Sequence, residues 1–470
     1  ICASGPVPAW PVGPFMHVIA SCTWSLLHFA SVRCTVRTGC TAGVRFGAKL
    51  TGGAAGFSAA PAHQIPGNSV MNGLSKSRIM SSLQCLKKVH LEVHRKDLQE
   101  FSSKTEAAFA VGHEVGEMAI RLYGRGRGVE VQYDDSGLSK ALGTTRELMA
   151  SGIQEPIFEA TLEHEGVLVR EDVLFHVDSG RDWRIVEVKA STKVKPEHVL
   201  DCAIQAWVHR GAGHDFESIS LSHINKQFRY RGDGKYDGLL VENDLTGEVK
   251  KELPSVPHWV EQAKEAVEGP MPAIPVGAQC TKPYDCPFMG YCWPGDSQYP
   301  ISGLGGSRKK LGLLVMNGYR DIRDVPASEI SGQDHERIHR VTRQGEPELL
   351  PGAKAFVDEL PYPRFHLDFE TIGPAIPIWP GTRPYQALPI QWSCHIERSG
   401  SVVEHKEFLD LSGEPPMRKL AEQMIRDLET TGPVLMYTEY ERRIILGLAG
   451  MFPDLAEELH AIVDRLVDLK

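Results

Sequence analysis

Asp172, Glu187 and Lys189 have the types and the order to hydrolyse a phosphodiester. Read as a strand, 184–189 alternates, so Glu187 and Lys189 share one face while Val186 and Val188 pack behind them. A second strand over 167–175 precedes it, and the polar turn Ser179-Gly180-Arg181-Asp182 closes a hairpin that carries Asp172 toward Glu187. Two carboxylates side by side repel, which makes a hard divalent cation, Mg2+ or Mn2+, their natural resident. Such an ion lowers the pKa of a water and neutralises charge on a phosphate. The compact ammonium of Lys189 suits orienting that water or meeting a phosphoryl oxygen. The same three residues also fit an ordinary surface hairpin, so the elements around them carry the decision.

The next helix, around 199–209, gives the core Leu200, Ala203, Ile204, Trp207 and Val208 at helical spacing. Asp201, Gln205 and His209 are left on the opposite face, toward the carboxylates or DNA. An earlier helix over 105–123 buries Val111, Val115, Met118 and Leu122 and exposes Glu114, Glu117 and Arg121. Glu117 is either a further carboxylate of the site or an i, i+4 partner of Arg121. Cys280, Cys286 and Cys292 form a compact triplet, with Cys85 far upstream. Four thiolates suit zinc or an iron-sulfur cluster.

A different pair of acids follows downstream. Phe365, Leu367 and Phe369 alternate with His366, Asp368 and Glu370, so Asp368 and Glu370 point the same way from one strand. Met417, Leu420, Ala421, Met424, Ile425 and Leu428 mark a helix, 434–438 reads as a strand, and Glu441 opens the helix after it.

Glu155-Pro156-Ile157-Phe158-Glu159-Ala160, Arg170-Glu171-Asp172, Val186-Glu187-Val188-Lys189 and Ala203-Ile204-Gln205, in that order, resemble the RecB-like branch of the PD-(D/E)xK nucleases. From about residue 71 to the end, the chain more closely resembles a bacterial family of unknown function that joins such a nuclease to a DnaQ-like exonuclease domain. The resemblance implies that Asp172 and Glu187 bind Mg2+ or Mn2+, that Lys189 is catalytic, and that Gln205 shapes the site. One early cysteine with a late triplet resembles the AddB-type iron-sulfur nucleases. That likeness implies a structural [4Fe-4S] cluster on Cys85, Cys280, Cys286 and Cys292, with Zn2+ as the alternative. The triplet here is evenly spaced, whereas the first AddB spacing is tighter. Asp368 and Glu370 resemble the first motif, and Glu441 the second, of DnaQ-like exonucleases in the RNase H-like fold. Their third motif, a His or Tyr followed by Asp on a late helix, is expected beyond Lys470, and Asp468 reads as part of an ordinary strand.

The expected fold class is therefore α/β: a restriction-endonuclease-like (PD-(D/E)xK) core followed by a partial RNase H-like domain. The boundaries expected are 71–300 for the first, 301–360 for a helical connector and 361–470 for the second. Gly303-Leu304-Gly305-Gly306-Ser307-Arg308-Lys309-Lys310 in the connector reads as a basic linker or as a helix-hairpin-helix-like phosphate cradle. Residues 1–70 hold no Asp or Glu and four of the ten cysteines, and are expected to be disordered or a spurious upstream extension. The net charge of -9 excludes a uniformly basic coat, so DNA binding would rest on local patches such as Lys87-Lys88 and would be salt-sensitive. No apolar run reaches membrane-spanning length, and a cytoplasmic location is expected. DNA, as single strands or duplex ends, is the expected partner, and a helicase is a further candidate because RecB relatives have one. The competing expectation is a catalytically inactive nucleic-acid-binding or scaffold protein.

Overall fold

The computed structural model describes residues 74–133, 137–177, 182–295, 297–399 and 402–469. The upstream segment and the turn at 178–181 fall outside the described residues. The chain is mixed α/β, with two sheets.

The first sheet and its helices comprise β1 (Leu74–Ser75), α1 (Lys76–Gln84), α2 (Leu86–His94), α3 (Ser103–Gly124), β2 (Val129–Glu130), α4 (Leu138–Ala150), β3 (Ile157–His164), β4 (Val167–His176), β5 (Asp182–Lys189), α5 (Pro196–Gly211), β6 (Asp215–Ile224), β7 (Leu240–Asp244), α6 (Thr246–Glu252) and α7 (Val256–Glu268). The strand order is β2-β3-β4-β5-β6-β7, with β1 added beside β4. Alternation along β5 sends Val186 and Val188 toward α3, where they pack with Ile120 and Tyr123. Ile185 goes the other way, into a core shared with Ala203, Ile204 and Val208 of α5.

β4 has to serve two partners along one edge. Its far edge pairs with β3 over most of its length, while β5 pairs only with Val173–His176 and β1 takes up Val167 and Leu168. Where β5 diverges, β1 delivers the start of α1 into the gap. Ser75 caps that helix through Oγ, which accepts from Arg78 N–H at 3.3 Å.

A connector follows, with α8 (Met289–Cys292), α9 (Arg308–Met316), α10 (Gln333–Gln344) and α11 (Ala353–Glu359). Its small core joins Cys280 and Trp293 to Ile301, Leu311 and Ile322, so packing runs across residue 300. The glycine-rich stretch 303–307 runs from the 3-10 turn Ile301–Leu304 into α9, and α9 and α10 are joined by 317–332, which contains two further 3-10 turns.

The second sheet is built from β8 (Arg364–Ile372), β9 (Leu388–Ser399), β10 (Val402–Leu409), β11 (Val434–Met436) and β12 (Leu466–Asp468), with α12 (Met417–Asp427), α13 (Tyr440–Met451) and α14 (Ala456–Val463). Its order is β10-β9-β8-β11-β12. The first three strands are antiparallel, and β11 and β12 run parallel to β8. Phe365, Leu367 and Phe369 enter the core with Trp392, Leu420 and Met424, as alternation and helical spacing require.

Residues 373–387 of this second region dock on the first. Tyr230 exchanges backbone bonds with this segment, its N–H donating to Thr382 O at 3.0 Å and its carbonyl accepting from Gly381 N–H at 2.7 Å. Tyr236 Oη donates to Pro377 O at 3.0 Å. At Gly232 the approach is close enough that a Cβ would lie 2.7 Å from Pro380 Cγ, and its φ of 85° also favours glycine.

Candidate functional site

The site forms where the β4–β5 ladder stops. Beyond Val173 and Val186 the two strands no longer pair, and Val188 N–H donates instead to Asp172 Oδ2 at 2.6 Å. Glu159, level with Asp172 on β3, has φ of 56°, a left-handed conformation rare for a side chain of this kind. Glu171 reaches His209 on α5 while Val173 packs with Val186 on the α3 side, so the chain twists over at Asp172. This distortion turns Asp172 toward Glu187.

Glu187 is 1 % exposed and both of its carboxylate oxygens are engaged. Its Oε2 accepts from Gln205 Nε2 at 2.6 Å, and its Oε1 accepts from Lys76 Nζ at 2.9 Å and from Lys189 Nζ. Asp201 completes the set, with Lys76 Nζ 3.1 Å from Oδ1 and Lys189 Nζ 2.7 Å from Oδ2. Gln205 Oε1 is buried with no hydrogen-bond partner among the described residues.

The electrostatics follow from this packing. Burial opposes ionisation of Glu187, yet Lys189 and Lys76 outweigh it and hold the carboxyl well below the usual carboxylate range. Asp172 goes the other way, pushed well up by burial and by the charge of Glu187. Both lysines are held protonated despite burial, chiefly by Asp201 and Glu187. Two carboxyls whose environments drive their pKa values apart are a mark of a chemical site.

Of the residues singled out in the sequence, Asp172, Glu187, Lys189 and Gln205 come together. Glu117 does not join them. It is exposed on α3 and makes no ion pair with Arg121 either, which donates to Gly234 O at 2.7 Å. α5 is buried on nearly all sides, so its polar face is no open surface. His209 is committed to Glu171, with Nδ1 3.0 Å from Oε1 and both residues fully buried. Lys76 was missed, because it lies outside every motif.

Tyr385, in the docked segment 373–387, donates from Oη to Ala190 O, immediately after Lys189. Tyr385→Phe is expected to cost about 1 kcal/mol, the net worth of one hydrogen bond, with the rest of the docking intact. Denaturant unfolding checks this, and an unchanged midpoint would contradict it.

Cys85, Cys280, Cys286 and Cys292 line one pocket, together with Lys87 and Phe288. Cys85 sits at the junction of α1 and α2, and Gln84 Nε2 ties that junction to the triplet by donating to Gln279 O and Tyr284 O, each at 2.7 Å. None of the four is in a disulfide. Burial pushes the Cys286 thiol up to about 11, with Cys280 and Cys292 adding to it. Among the described residues, no three His, Cys, Asp or Glu side chains are set around one point as a single ion would require.

In the second sheet, Asp368 and Glu370 stand exposed on β8 and Glu441 is buried in the first turn of α13. Burial, with the charges of Asp368 and Asp468, raises Glu441, and burial with Asp368 raises Glu370. Asp468, the last residue of β12, is in a strand as expected, and its charge also bears on Glu441. Its Oδ1 accepts from Thr438 N–H at 3.2 Å. Glu441 Oε2 is buried with no hydrogen-bond partner among the described residues.

No helix among the described residues is long and apolar enough to cross a membrane. Residues 365–470 match a family described as a domain of unknown function, DUF2779. No curated protein matches the chain. A solved structure titled "Crystal structure of SSO0001" aligns with 15% identity over 47% of this chain and 86% of that chain, with a TM-score of 0.27. At that score the likeness is too slight to identify a shared fold.

Proposed function

We propose that the chain is a metal-dependent nuclease that hydrolyses DNA phosphodiesters at the centre formed by Asp172, Glu187, Lys189 and Gln205. The observation that carries this reading is the convergence of the four on the broken edge of β4 and β5, with Gln205 bonded to Glu187. It supports a PD-(D/E)xK core for the first sheet.

The donor set suits a hard cation: carboxylate oxygens of Asp172 and Glu187 beside the unpartnered amide oxygen of Gln205. Asp172 and Glu187 would hold it. When bound, such an ion lowers the pKa of water and neutralises a phosphate. Gln205 fixes the Glu187 carboxylate in place, and Asp201 keeps the Lys189 ammonium aimed at the centre. Lys189, held protonated, can donate to a phosphoryl oxygen as negative charge builds there.

The four cysteines would hold a [4Fe-4S] cluster. The four thiols line one pocket, as a [4Fe-4S] cluster, or Zn2+ as the alternative, would need. Its work would be to staple α1 and α2 to the 278–292 segment.

The second sheet supports an RNase H-like reading, with three antiparallel strands followed by two parallel ones on the far side of the first. Asp368, Glu370, Glu441 and Asp468 would be its acids, as in DnaQ-like exonucleases. The test is cleavage of end-labelled single- and double-stranded DNA by the full chain with Mg2+ or Mn2+, alongside Asp368→Asn. Metal-dependent cutting that survives Asp368→Asn assigns the activity to the first centre. DNA binding without cutting under any metal would favour a scaffold.

A further inference from the structure

Lys76 reaches the centre from outside every motif. It begins α1, and it is delivered by the pairing of β1 with Val167 and Leu168 at the point where β5 leaves β4. Its ammonium lies 2.9 Å from Glu187 Oε1 and 3.1 Å from Asp201 Oδ1. Lys189 contacts the same Glu187 oxygen and the other Asp201 oxygen. Both lysines therefore contact the same two carboxylates, Lys76 reaching Asp201 Oδ1 as an ion pair without a hydrogen bond, although one stands in the signature strand and the other at the opposite end of the domain.

Two facts make Lys76 more than a stabilising counter-ion. Glu187 Oε1 is engaged by both ammoniums, whereas Oε2 accepts only from Gln205, so a cation that takes Oε1 has to displace an ammonium. Charge then has to be rebalanced. Glu187 and Asp201 offset the two lysines, leaving Asp172 as the extra carboxylate. A divalent cation held by the carboxylates of Asp172 and Glu187, with Asp201 and both lysines counted, gives the centre one net positive charge, which one phosphodiester would neutralise. Without Lys76 the loaded centre would have no charge left over for the substrate.

We infer that Lys76 is a second functional lysine of this centre: it occupies the cation's place on Glu187 until the metal binds, then remains tethered to Asp201 and receives a phosphate oxygen of the substrate. The inference rests on the nuclease reading. In this role Lys76 competes with the metal in the free protein and assists it in the complex. A purely structural lysine would not assist cleavage once the metal is bound.

The experiment titrates Mn2+ alone into the full chain by calorimetry, without DNA, for the wild type, Lys76→Met and Lys76→Arg, and then measures cleavage at saturating Mn2+. Lys76→Met is expected to bind Mn2+ at least about ten-fold more tightly, because a cation beside the site is removed, yet to cut at least about ten-fold more slowly. Lys76→Arg is expected to keep the weaker, wild-type affinity. Tight Mn2+ binding by Lys76→Met also reports that its site is folded. If Lys76→Met fails to fold, Lys76→Gln takes its place under the same criteria. Unchanged or weaker Mn2+ binding, or undiminished cleavage, in the methionine variant overturns the role of Lys76. A wild type that neither binds Mn2+ nor cuts DNA overturns the nuclease reading itself, which is a distinguishable failure.

Discussion

Glu187→Ala is expected to abolish metal-dependent cleavage and also to destabilise the metal-free fold. The carboxylate it removes is 1 % exposed and holds two ammoniums, which would be left with Asp201 alone. Breaking a buried ion pair costs about 3–5 kcal/mol. The lower end applies here, because the side chains of Lys76 and Lys189 are 19% and 27% exposed and water can partly replace the lost partner. Loss of activity should exceed about a thousand-fold, as expected when a group that organises transition-state charge is removed. Glu187→Gln separates the two effects, since it keeps the volume and an acceptor for Lys189 but not the charge. The sign of the pH dependence follows from the depressed pKa of Glu187. The pair's contribution is complete above its ordinary value of 4.5 and is lost as the pH falls toward the folded-state value. Melting temperature against pH should therefore fall more steeply in acid for the wild type than for Glu187→Gln, and parallel acid limbs would contradict the pairing.

Cys286→Ser should remove the brown absorbance of an anaerobically purified cluster and lower the melting temperature by about 10 °C. Structural metal centres contribute on the order of 10 kcal/mol to small zinc domains. A domain with its own large core would lose only part of that, and each kcal/mol moves the midpoint by about 2–4 °C in chains of comparable size. Cys394→Ala is the matched control, because Cys394 is buried in the core of the second sheet, away from the pocket. It should keep the absorbance. If Cys286→Ser retains both absorbance and midpoint, Cys286 is no ligand.

Much of this architecture was legible locally. Alternation along 184–189 told which way Glu187 and Val186 point, and alternation along 365–370 did the same for Asp368 and Glu370, because a strand's side-chain period is fixed by its backbone. Helical spacing likewise marked the core of α12. What stayed hidden depends on distant chain segments. Periodicity shows that Glu187 faces a partner, but the partner Lys76 arrives through a two-residue strand that no pattern announces. Spacing put Asp201, Gln205 and His209 on one polar face of a helix. Only tertiary packing sends the first two to Glu187 and its lysines and the third to Glu171. Glu117 had the right charge on an exposed face, and charge alone does not bring a side chain to a site. Asp468 looked like strand residue and nothing more until β12 closed beside β11, near Glu441.

The most direct measurement is cleavage of end-labelled DNA by the anaerobically purified full chain in Mn2+ or Mg2+, compared with Lys189→Ala. Metal-dependent cutting by the wild type is expected, with its loss in the variant and DNA binding retained. Cutting that is undiminished in Lys189→Ala would contradict a centre built on Asp172, Glu187 and Lys189.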